Sequence, residues 1–238
     1  MKTFLQHKHI LITGGCGTIG QAIAWKAKET GATITLWDTK TVSLADYNVQ
    51  NVDTTDEIAV QEGFANLESM PDIIINCAGI FKNFKPLAAL ELNEFNELHH
   101  MNTTSCFLVC REGLRHYKGN LTIINISSAL SAKAIPLASA YCASKAGIDS
   151  LTRSIAAEYG TQGVLAVSLN PGPVAGSMLD NGIDEIATLM GAPREAVIQQ
   201  MLDVIPSGKL VDVEEIAAMA VFIATGQTSS MQGKQINI

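Results

Sequence analysis

Short β-branched runs alternate with longer amphipathic stretches along the chain, and this alternation restricts the fold more than any single segment does. Most of the short runs are apolar almost throughout, which is typical of strands in a parallel sheet that helices cover on both faces. These runs are 9–13, 33–37, 47–52, 72–76, 121–127, 164–169 and 234–238, and the helical stretches between them are 20–30, 55–67, 92–117, 140–159 and 213–225. The repeated strand–helix–strand order predicts an α/β fold, a doubly wound parallel sheet of about seven strands in a three-layer α/β/α sandwich.

The segment 171–206 departs from this alternation. It contains four prolines and two short helical patterns, at 184–190 and 193–202. Long structureless loops are uncommon in compact domains, so an insertion of this size before the last helix favours a lid over a site. Nothing in the composition divides the chain. We therefore expect one domain, 1–238, with a lid at about 175–206.

Composition and charge exclude several classes of protein. Hydrophobic residues make up 47% and charged residues 16% of the chain, a balance typical of a folded globule and not of disorder. Sixteen Lys and Arg against 23 Asp and Glu give a net charge of −7, which argues against a nucleic-acid partner. Neither a bilayer-spanning apolar run nor a signal peptide is recognisable, so we expect a cytoplasmic protein with no membrane partner. The five scattered cysteines show no metal-ligand spacing, and we expect no metal.

A glycine-rich turn follows the first predicted strand and opens the first predicted helix. Gly15, Gly17 and Gly20 satisfy G-x-G-x-x-G. Glycine suits a turn with positive φ and a close backbone approach to a pyrophosphate, and the helix N-terminus attracts anions. A glycine-rich turn can also be only a tight connection, but this context favours a Rossmann-type dinucleotide site. The predicted phosphate-binding residues are Gly14, Gly15, Cys16, Gly17, Thr18, Ile19 and Gly20.

Acidic residues after the next two strands indicate the cofactor. Asp38 stands 18 residues beyond Gly20, where a carboxylate can bind the adenosine ribose and would repel a 2′-phosphate. We therefore expect NAD, with NADP possible because Lys40 partly offsets the repulsion. The alternative for Asp38 is a solvated loop residue. Asp53 either meets the adenine or caps the following helix.

Tyr141 and Lys145 lie four residues apart, on one face of a predicted helix. An isolated tyrosine has a pKa near 10, and a neighbouring ammonium favours its phenolate. The pair could therefore serve as an acid or a base at neutral pH. The spacing alone is weak evidence, because such pairs also arise by chance.

Taken together, these motifs resemble the short-chain dehydrogenase/reductase family, in its single-domain branch, from residue 9 to the last strand. The glycine turn, Asn76-Cys77-Ala78-Gly79, Asn102, Ser127-Ser128, the Tyr141/Lys145 pair and Asn170-Pro171-Gly172 occur in the family's order. The resemblance implies a catalytic tetrad of Asn102, Ser128, Tyr141 and Lys145, with Ser128 preferred over Ser127 because it stands 13 residues before the tyrosine. Further cofactor-binding residues that it implies are Asn76, Ala78, Gly79, Tyr141, Lys145, Pro171, Gly172 and Val174.

The resemblance also implies a reaction. Tyr141 exchanges a proton with the substrate oxygen while hydride moves to or from nicotinamide, and Ser128 hydrogen-bonds the same oxygen. Lys145 binds the ribose and lowers the tyrosine pKa, and Asn102 holds a water that links the lysine to solvent. Each residue also has a structural alternative: a turn cap for Ser128, a backbone-satisfied amide for Asn102, and a plain helix face for the Tyr141/Lys145 pair. The segment 76–79 is better interpreted as close packing near the cofactor than as chemistry.

The chain departs from the family pattern at three places. Thr18 stands where the single-domain branch usually has glycine, Ala175-Gly176-Ser177 replaces a common threonine, and the chain ends at Ile238 without Asp-Gly-Gly.

The expected substrate is a small or cyclic secondary alcohol or ketone, because the segments around the site are apolar. They contain few basic residues, Lys133 and Arg194 being the exceptions. The apolar candidates for the substrate wall are Met178, Leu179, Ile183, Ile186, Leu189, Met190, Leu130, Ile135 and Leu137. The family further implies a homotetramer or homodimer built from the helices at 92–117 and 140–160.

Two other classes of function remain open. A non-catalytic NAD(P)-sensing or scaffold protein on the same fold would need no tetrad. An S-adenosylmethionine-dependent transferase shares the glycine turn and the acidic residue but would not explain Ser128, Tyr141 and Lys145.

Overall fold

Seven parallel strands form one sheet in the order β3-β2-β1-β4-β5-β6-β7 within the part of the chain that the structure describes. The structure is a computed structural model and describes residues 4–40, 44, 46–203, 205, 207–227 and 229–238, so positions 1–3, and positions 204 and 206 of the predicted lid, lie outside the described residues. The strands are β1 His9–Thr13, β2 Thr33–Asp38, β3 Asn48–Asn51, β4 Ile73–Asn76, β5 Leu121–Ile126, β6 Val164–Asn170 and β7 Gln235–Asn237. The predicted α/β fold is confirmed, and each predicted strand is present to within two residues.

Helices cover both faces of this sheet. They are α1 Thr18–Glu29, α2 Glu57–Ala65, α3 Leu92–His99, α4 Ser105–His116, α5 Ser139–Tyr159, α6 Ser177–Met190, α7 Arg194–Asp203 and α8 Val213–Ala224. Alternate side chains of β1 face opposite layers, as a pleated strand requires. Ile10 and Ile12 belong to the apolar core under α1 and α8, whereas Leu11 belongs to the core under α2, α4 and α5.

The strand order reverses beside β1, and this reversal positions the site. β1 pairs with β2 on one side and with β4 on the other. The connections that leave β1 and β4 therefore diverge, which opens a crevice at the carboxyl edge of the sheet. The glycine turn after β1, the segment 76–79 after β4 and the two serines after β5 all come to this edge.

The predicted helix 92–117 is two helices. A five-residue π-helical turn, His100–Thr104, separates α3 from α4. A π turn keeps the backbone helical, and this one contains no proline or glycine, so the sequence pattern predicts one helix through it. Asn102 lies in this turn and is fully buried.

The segment 171–206 contains two helices, and the first begins earlier than predicted. α6 begins at Ser177, seven residues before the expected 184, because Gly182 lies inside the helix instead of breaking it. Arg194 at the start of α7 pairs with Asp180 and Asp184 of α6. This clamp joins α6 and α7.

None of the helices in the described ranges is long and apolar enough to cross a membrane.

Candidate active site

The glycines of the turn after β1 are required by close contacts. Gly14 has φ +61°, and a Cβ there would lie 2.7 Å from the Ala78 Cα. A Cβ at Gly15 would lie 2.7 Å from the Leu36 Cβ, and one at Gly20 would collide with the Gly14 carbonyl oxygen. Any side chain at these positions would push α1 away from the strands.

The N-terminus of α1 faces the crevice with free donors. Gly17 is the N-cap and supplies no side chain to accept from the first turn, which also contains no acidic residue. The first backbone N–H groups of the helix are therefore available to an anion. This turn fits the pyrophosphate of a dinucleotide, and the binding of phosphate by Gly14, Gly15, Cys16, Gly17, Thr18, Ile19 and Gly20 stays a prediction.

Asp38 lies at the end of β2 beside this turn. Its carboxylate accepts hydrogen bonds from the backbone N–H of Cys16, at 3.0 Å, and of Lys40, at 2.9 Å. The residue is half-buried. The structure thus places a fixed carboxylate next to the phosphate cradle, where the sequence predicted it, instead of in a free loop.

Asp53 does not cap α2. Its Oδ1 accepts from the backbone N–H of Thr55, at 2.9 Å, and from the Thr55 hydroxyl, at 2.7 Å. Asp56 is the N-cap and accepts from Ile58 and Ala59. Asp53 therefore stabilises the turn before α2, and its predicted contact with adenine stays a prediction.

The segment 76–79 contributes its backbone to the crevice. The Asn76 side chain points into the interior and donates to Asn125 Oδ1, at 2.8 Å, so it supports the sheet and does not face the crevice. Ala78 is held by a hydrogen bond from its N–H to the Thr13 hydroxyl, at 3.3 Å. A Cβ at Gly79 would lie 2.9 Å from Asn102 Oδ1 and 3.5 Å from Lys145 Nζ. Gly79 therefore marks the point at which two predicted catalytic side chains converge.

Tyr141 and Lys145 lie on one face of α5, and both are buried. The Lys145 ammonium lies 5.8 Å from the centroid of the Tyr141 ring and donates to the Ile126 carbonyl at 3.0 Å. This carbonyl is the last of β5, so the ammonium is tied to the carboxyl edge of the sheet. The pair is a part of the crevice and not a plain exposed helix face.

Ser128, and not Ser127, is next to the phenol. The Ser128 hydroxyl hydrogen-bonds Tyr141 and also accepts from the Leu130 N–H at 3.1 Å. The Ser127 hydroxyl donates to the Lys145 carbonyl at 3.0 Å and so holds α5 against β5. Ser128 therefore combines the predicted site position with the turn cap that was its structural alternative.

The Asn102 amide is satisfied by protein groups. Its Oδ1 accepts from the Ile80 N–H at 2.7 Å, and its Nδ2 donates to the Ile80 carbonyl at 3.1 Å and to Ser144 Oγ at 3.0 Å. Asn102 thus fixes the chain that follows Gly79 against α5. The water-holding role implied by the family stays a prediction.

Burial controls the titration of the central pair. Burial raises the pKa of Tyr141 to about 12, and the Ser128 hydrogen bond acts in the opposite direction. Burial also lowers the pKa of Lys145, opposed by the nearby Cys77, Cys106 and Asp149. From the sequence we expected Lys145 to lower the Tyr141 pKa. That effect of Lys145 stays a prediction, since burial has the larger influence on the phenol and the ammonium is directed at the Ile126 carbonyl.

The loop after β6 closes the site from the other side. The Pro171 carbonyl accepts from the Ala129 N–H, and the Gly172 N–H donates to the carbonyl of Ile238, both at 2.9 Å. Val174 pairs with Val211 in a parallel bridge. Ile238 therefore braces the loop that was predicted to bind the cofactor.

Thr18 and Gly176, two positions at which the chain departs from the family pattern, lie next to each other. Gly176 has φ +147°, and a Cβ on it would lie 2.8 Å from Thr18 Oγ1. The threonine of the glycine turn thus lies against the first residues of the predicted lid, where only glycine fits.

An aromatic wall formed by Phe81 and Phe84 packs over Tyr141 and was not predicted from the sequence. The Phe81 ring lies with its centroid 4.6 Å from that of Tyr141 and 4.6 Å from that of Phe84. Of the predicted wall residues, Leu130 packs against the cluster that contains Tyr141, but Met178, Leu189 and Met190 are each 49% exposed. The available signal was the position of two phenylalanines directly after the 76–79 motif.

Asp149 was also not predicted. It is 2% exposed, and its carboxylate accepts from Ser168 Oγ and Asn170 Nδ2, both at 2.9 Å. Asn170 Nδ2 lies within 3.2 Å of the Ser128 carbonyl and 2.8 Å of Ser131 Oγ. This network ties the end of β6 to the loop that carries Ser128.

Comparisons with known proteins agree with this geometry. A family model described as enoyl-(acyl carrier protein) reductase matches residues 15–238. The 3-oxoacyl-[acyl-carrier-protein] reductase FabG of Rickettsia felis is 30% identical over 243 residues, which cover 98% of this chain and 96% of that protein. The 2-dehydro-3-deoxy-L-rhamnonate dehydrogenase (NAD(+)) of a Sphingomonas species is 30% identical over 232 residues, 92% of this chain and 88% of that protein.

Solved structures show the same likeness. NAD⁺-bound xylitol dehydrogenase superimposes with a TM-score of 0.91 at 25% identity, covering 98% of both chains. Levodione reductase superimposes with a TM-score of 0.89 at 25% identity, covering 98% of this chain and 96% of that one. With a phosphate cradle after β1 and a buried tyrosine, serine and lysine at the same sheet edge, the chain belongs to the short-chain dehydrogenase/reductase family of oxidoreductases.

Proposed function

We propose that the protein transfers hydride between a nicotinamide dinucleotide and a secondary alcohol or ketone, with Tyr141 as the general acid and base. The observation that carries this proposal is the position of the phenol: it is hydrogen-bonded to Ser128 and lies beside Lys145 at the edge that carries the phosphate cradle. Proton exchange by a positioned side chain is what carbonyl reduction needs in addition to hydride.

The residues divide the work between binding and proton transfer. The bound nicotinamide supplies or accepts the hydride. In the direction of reduction, the Tyr141 hydroxyl donates its proton to the substrate oxygen, and the Ser128 hydroxyl hydrogen-bonds that oxygen. The Lys145 ammonium binds the ribose hydroxyls and stabilises the phenolate that remains. In the direction of oxidation, the phenolate takes the hydroxyl proton.

Asp38 supports NAD as the preferred cofactor. Its carboxylate is fixed by two backbone N–H groups beside the cradle, where it can accept from ribose hydroxyls and would repel a 2′-phosphate. A relative whose name specifies NAD(+) and an NAD⁺-bound neighbour support the same choice. We expect Asp38→Ala to narrow the preference of the enzyme for NADH over NADPH by about tenfold or more in kcat/KM, the order of one lost charge-assisted hydrogen bond.

A panel of alcohols and ketones tests the activity. The absorbance of reduced nicotinamide is followed with NADH and NADPH, and with the oxidised cofactors for the alcohols. We expect turnover of neutral secondary alcohols or ketones. Tight NADH binding without turnover of any compound would instead favour a non-catalytic NAD(P)-sensing or scaffold protein.

Three further properties are proposed with this function. The chain is one catalytic domain, and α6 and α7 form the lid. Copies associate as a homotetramer or homodimer through α4 and α5, which line an apolar groove with Phe107, Leu114, Leu151, Ile155 and Tyr159. The cytoplasm is the expected compartment, which localisation of a tagged copy tests.

A further inference from the structure

The Phe81 side chain packs over the ring of Tyr141. Tyr141 is 9% exposed. The Phe81 ring meets its ring edge-on, with an interplanar angle of 71°. Phe81 is itself only half-buried, whereas Phe84 behind it is fully buried and supports it with a second edge-on contact. Phe81 therefore packs directly against the ring of Tyr141, with Phe84 as its support.

α6 holds Phe81 in this position. A Cβ at Gly182 would lie 2.6 Å from Phe81 Cε1 and 3.4 Å from Phe84 Cε2, so only glycine lets the helix rest on these rings. Glu185, one turn further along α6, accepts a hydrogen bond from the Phe84 N–H at 2.8 Å. Phe81 thus lies between the phenol and the lid helix.

Three cations near this wall are paired. Lys82 pairs with Glu97, and Lys85 pairs with Glu94. Arg194 pairs with Asp180 and Asp184, so the one basic residue of the lid that the sequence offered to an anionic substrate is engaged within the lid. Lys133, the other basic residue of the segments around the site, is exposed to solvent and has no ion pair among the described residues. A substrate carboxylate or phosphate would therefore have to reach Lys133 or compete with a carboxylate for one of the three paired cations.

We propose that Phe81 is the specificity-determining residue of the site and that its ring selects neutral, ring-bearing secondary alcohols and ketones. This inference rests on the proposed function. A substrate ring that packs on the Phe81 ring keeps the apolar burial of the wall, which a charged compound does not keep and a small acyclic compound keeps only in part. The size of the residue at position 81 sets how large that ring can be.

The experiment compares how the enzyme–NADH complex discriminates between ketones. Dissociation constants are measured from the fluorescence of bound NADH, and kcat/KM from its absorbance. The probes are cyclohexanone, the two-ring ketone decalone, and oxocyclohexanecarboxylate. The variants are Phe81→Ala and Phe81→Leu. Phe95→Leu is the matched control, because Phe95 packs in the same cluster but stacks on His99, with ring centroids 4.4 Å apart.

We expect wild type to favour cyclohexanone over the carboxylate by about tenfold or more. Phe81→Ala should raise the preference for decalone over cyclohexanone by about tenfold, and Phe81→Leu by less, while Phe95→Leu changes it by less than about twofold. The inference would be overturned if the preference for decalone over cyclohexanone were the same in the Phe81 variants as in Phe95→Leu. It would also be overturned if wild type bound the carboxylate as tightly as cyclohexanone. Phe81→Leu keeps the wall filled and carries the test if the alanine variant does not fold.

The proposed function and this inference can fail separately. If the dissociation constants shift as expected but no ketone is turned over, the proposed function fails and the role of Phe81 stands. If ketones are turned over but the preference for decalone over cyclohexanone is unchanged in the Phe81 variants, only the proposed role of Phe81 is wrong. An ultraviolet titration of the phenol adds a readout that needs no substrate. The signal of the matching protein with Tyr141→Phe is subtracted as the blank. Removal of the ring should bring the pKa of Tyr141 down from about 12 toward its ordinary value, because burial is the cause of the shift.

Discussion

The apolar side chains around Tyr141 affect substrate binding and the pKa of its phenol in opposite directions. The apolar cover that recognises a substrate ring also disfavours the phenolate, so the pKa of Tyr141 is raised to about 12. Ser128 counteracts this effect through its hydrogen bond. A donor that reaches the phenol oxygen, such as the hydroxyl of a substrate alcohol, favours the phenolate and lowers the pKa of Tyr141. Binding of an alcohol substrate is thus expected to help Tyr141 act as a base.

The buried phenol predicts an alkaline destabilisation that Tyr141 causes. Between pH 10 and about 12 the unfolded chain loses the Tyr141 proton while the folded chain keeps it, so the free energy of unfolding falls as the pH rises through this range. The loss amounts to about 2–3 kcal/mol at its end. Denaturant unfolding of wild type and Tyr141→Phe at a series of pH values measures it. Parallel pH profiles for the two proteins would contradict this prediction.

Not every residue role could be predicted from the sequence. Ser128 and Lys145 were found because their distances from Tyr141 along the chain are characteristic of the family. The inward direction of Asn76 and the bonds of Asp149 to β6 could not be found, because they depend on partners 49 and 21 residues away. The burial that raises the Tyr141 pKa could not be predicted from the sequence, because local spacing reveals the lysine but not the packing around the phenol.

Among the helices, α6 packs on Phe81, and we propose that it controls access to the site. It joins the rest of the protein through Gly182 on the Phe81 ring and through Glu185 on the Phe84 N–H. One hydrogen bond of this kind contributes about 0.5–1.5 kcal/mol, or more when the acceptor is charged. Such a contact is weak enough to open for a substrate and strong enough to favour the closed position.

Loss of the Glu185 contact should therefore open the lid. We expect Glu185→Ala to raise KM for the substrate about three- to tenfold with a smaller change in kcat, because the missing bond stabilises closure and does not touch the reacting atoms. Hydrogen exchange of α6 should accelerate. Glu195→Ala on the exposed surface of α7 is the control. Unchanged exchange in α6 of the Glu185 variant would mean that this bond does not hold the lid.

Elements were predicted from the sequence more completely than contacts. Continuous apolar runs mark the strands of a doubly covered sheet, so β1 to β7 were all found. The π turn at His100–Thr104 could not be found, since it keeps the chain helical and contains no proline or glycine. The start of α6 was missed because Gly176 and Gly182 resemble loop residues, although they are there to fit Thr18 and Phe81.

At the scale of the whole molecule, the two helices that border the site leave an apolar face uncovered. Phe107 of α4 is 40% exposed beside Arg111, whose guanidinium lies 5.1 Å from its ring centroid. Leu151 and Ile155 of α5 line the same groove. A second copy on this face would bury these side chains and stiffen α5, which carries Tyr141 and Lys145.

The assembly is tested by a charge on this face. We expect Phe107→Glu to lower the molecular mass measured by light scattering to that of a smaller assembly, because a carboxylate in an apolar interface is costly to bury. Ile58→Glu on α2, also at an exposed apolar residue, should leave the mass unchanged. A wild-type protein that is monomeric at micromolar concentrations would refute the assembly.

We propose that the Tyr141 hydroxyl exchanges the proton that accompanies hydride transfer, and the Tyr141→Phe variant tests this role. Tyr141→Phe keeps the ring against Phe81 and removes only the hydroxyl, so NADH should bind with a dissociation constant close to that of wild type while kcat falls by about two orders of magnitude or more. Both are measured on the same preparation, by fluorescence titration and by the absorbance of reduced nicotinamide. Retention of near-wild-type kcat by a variant that binds NADH normally would contradict the claim.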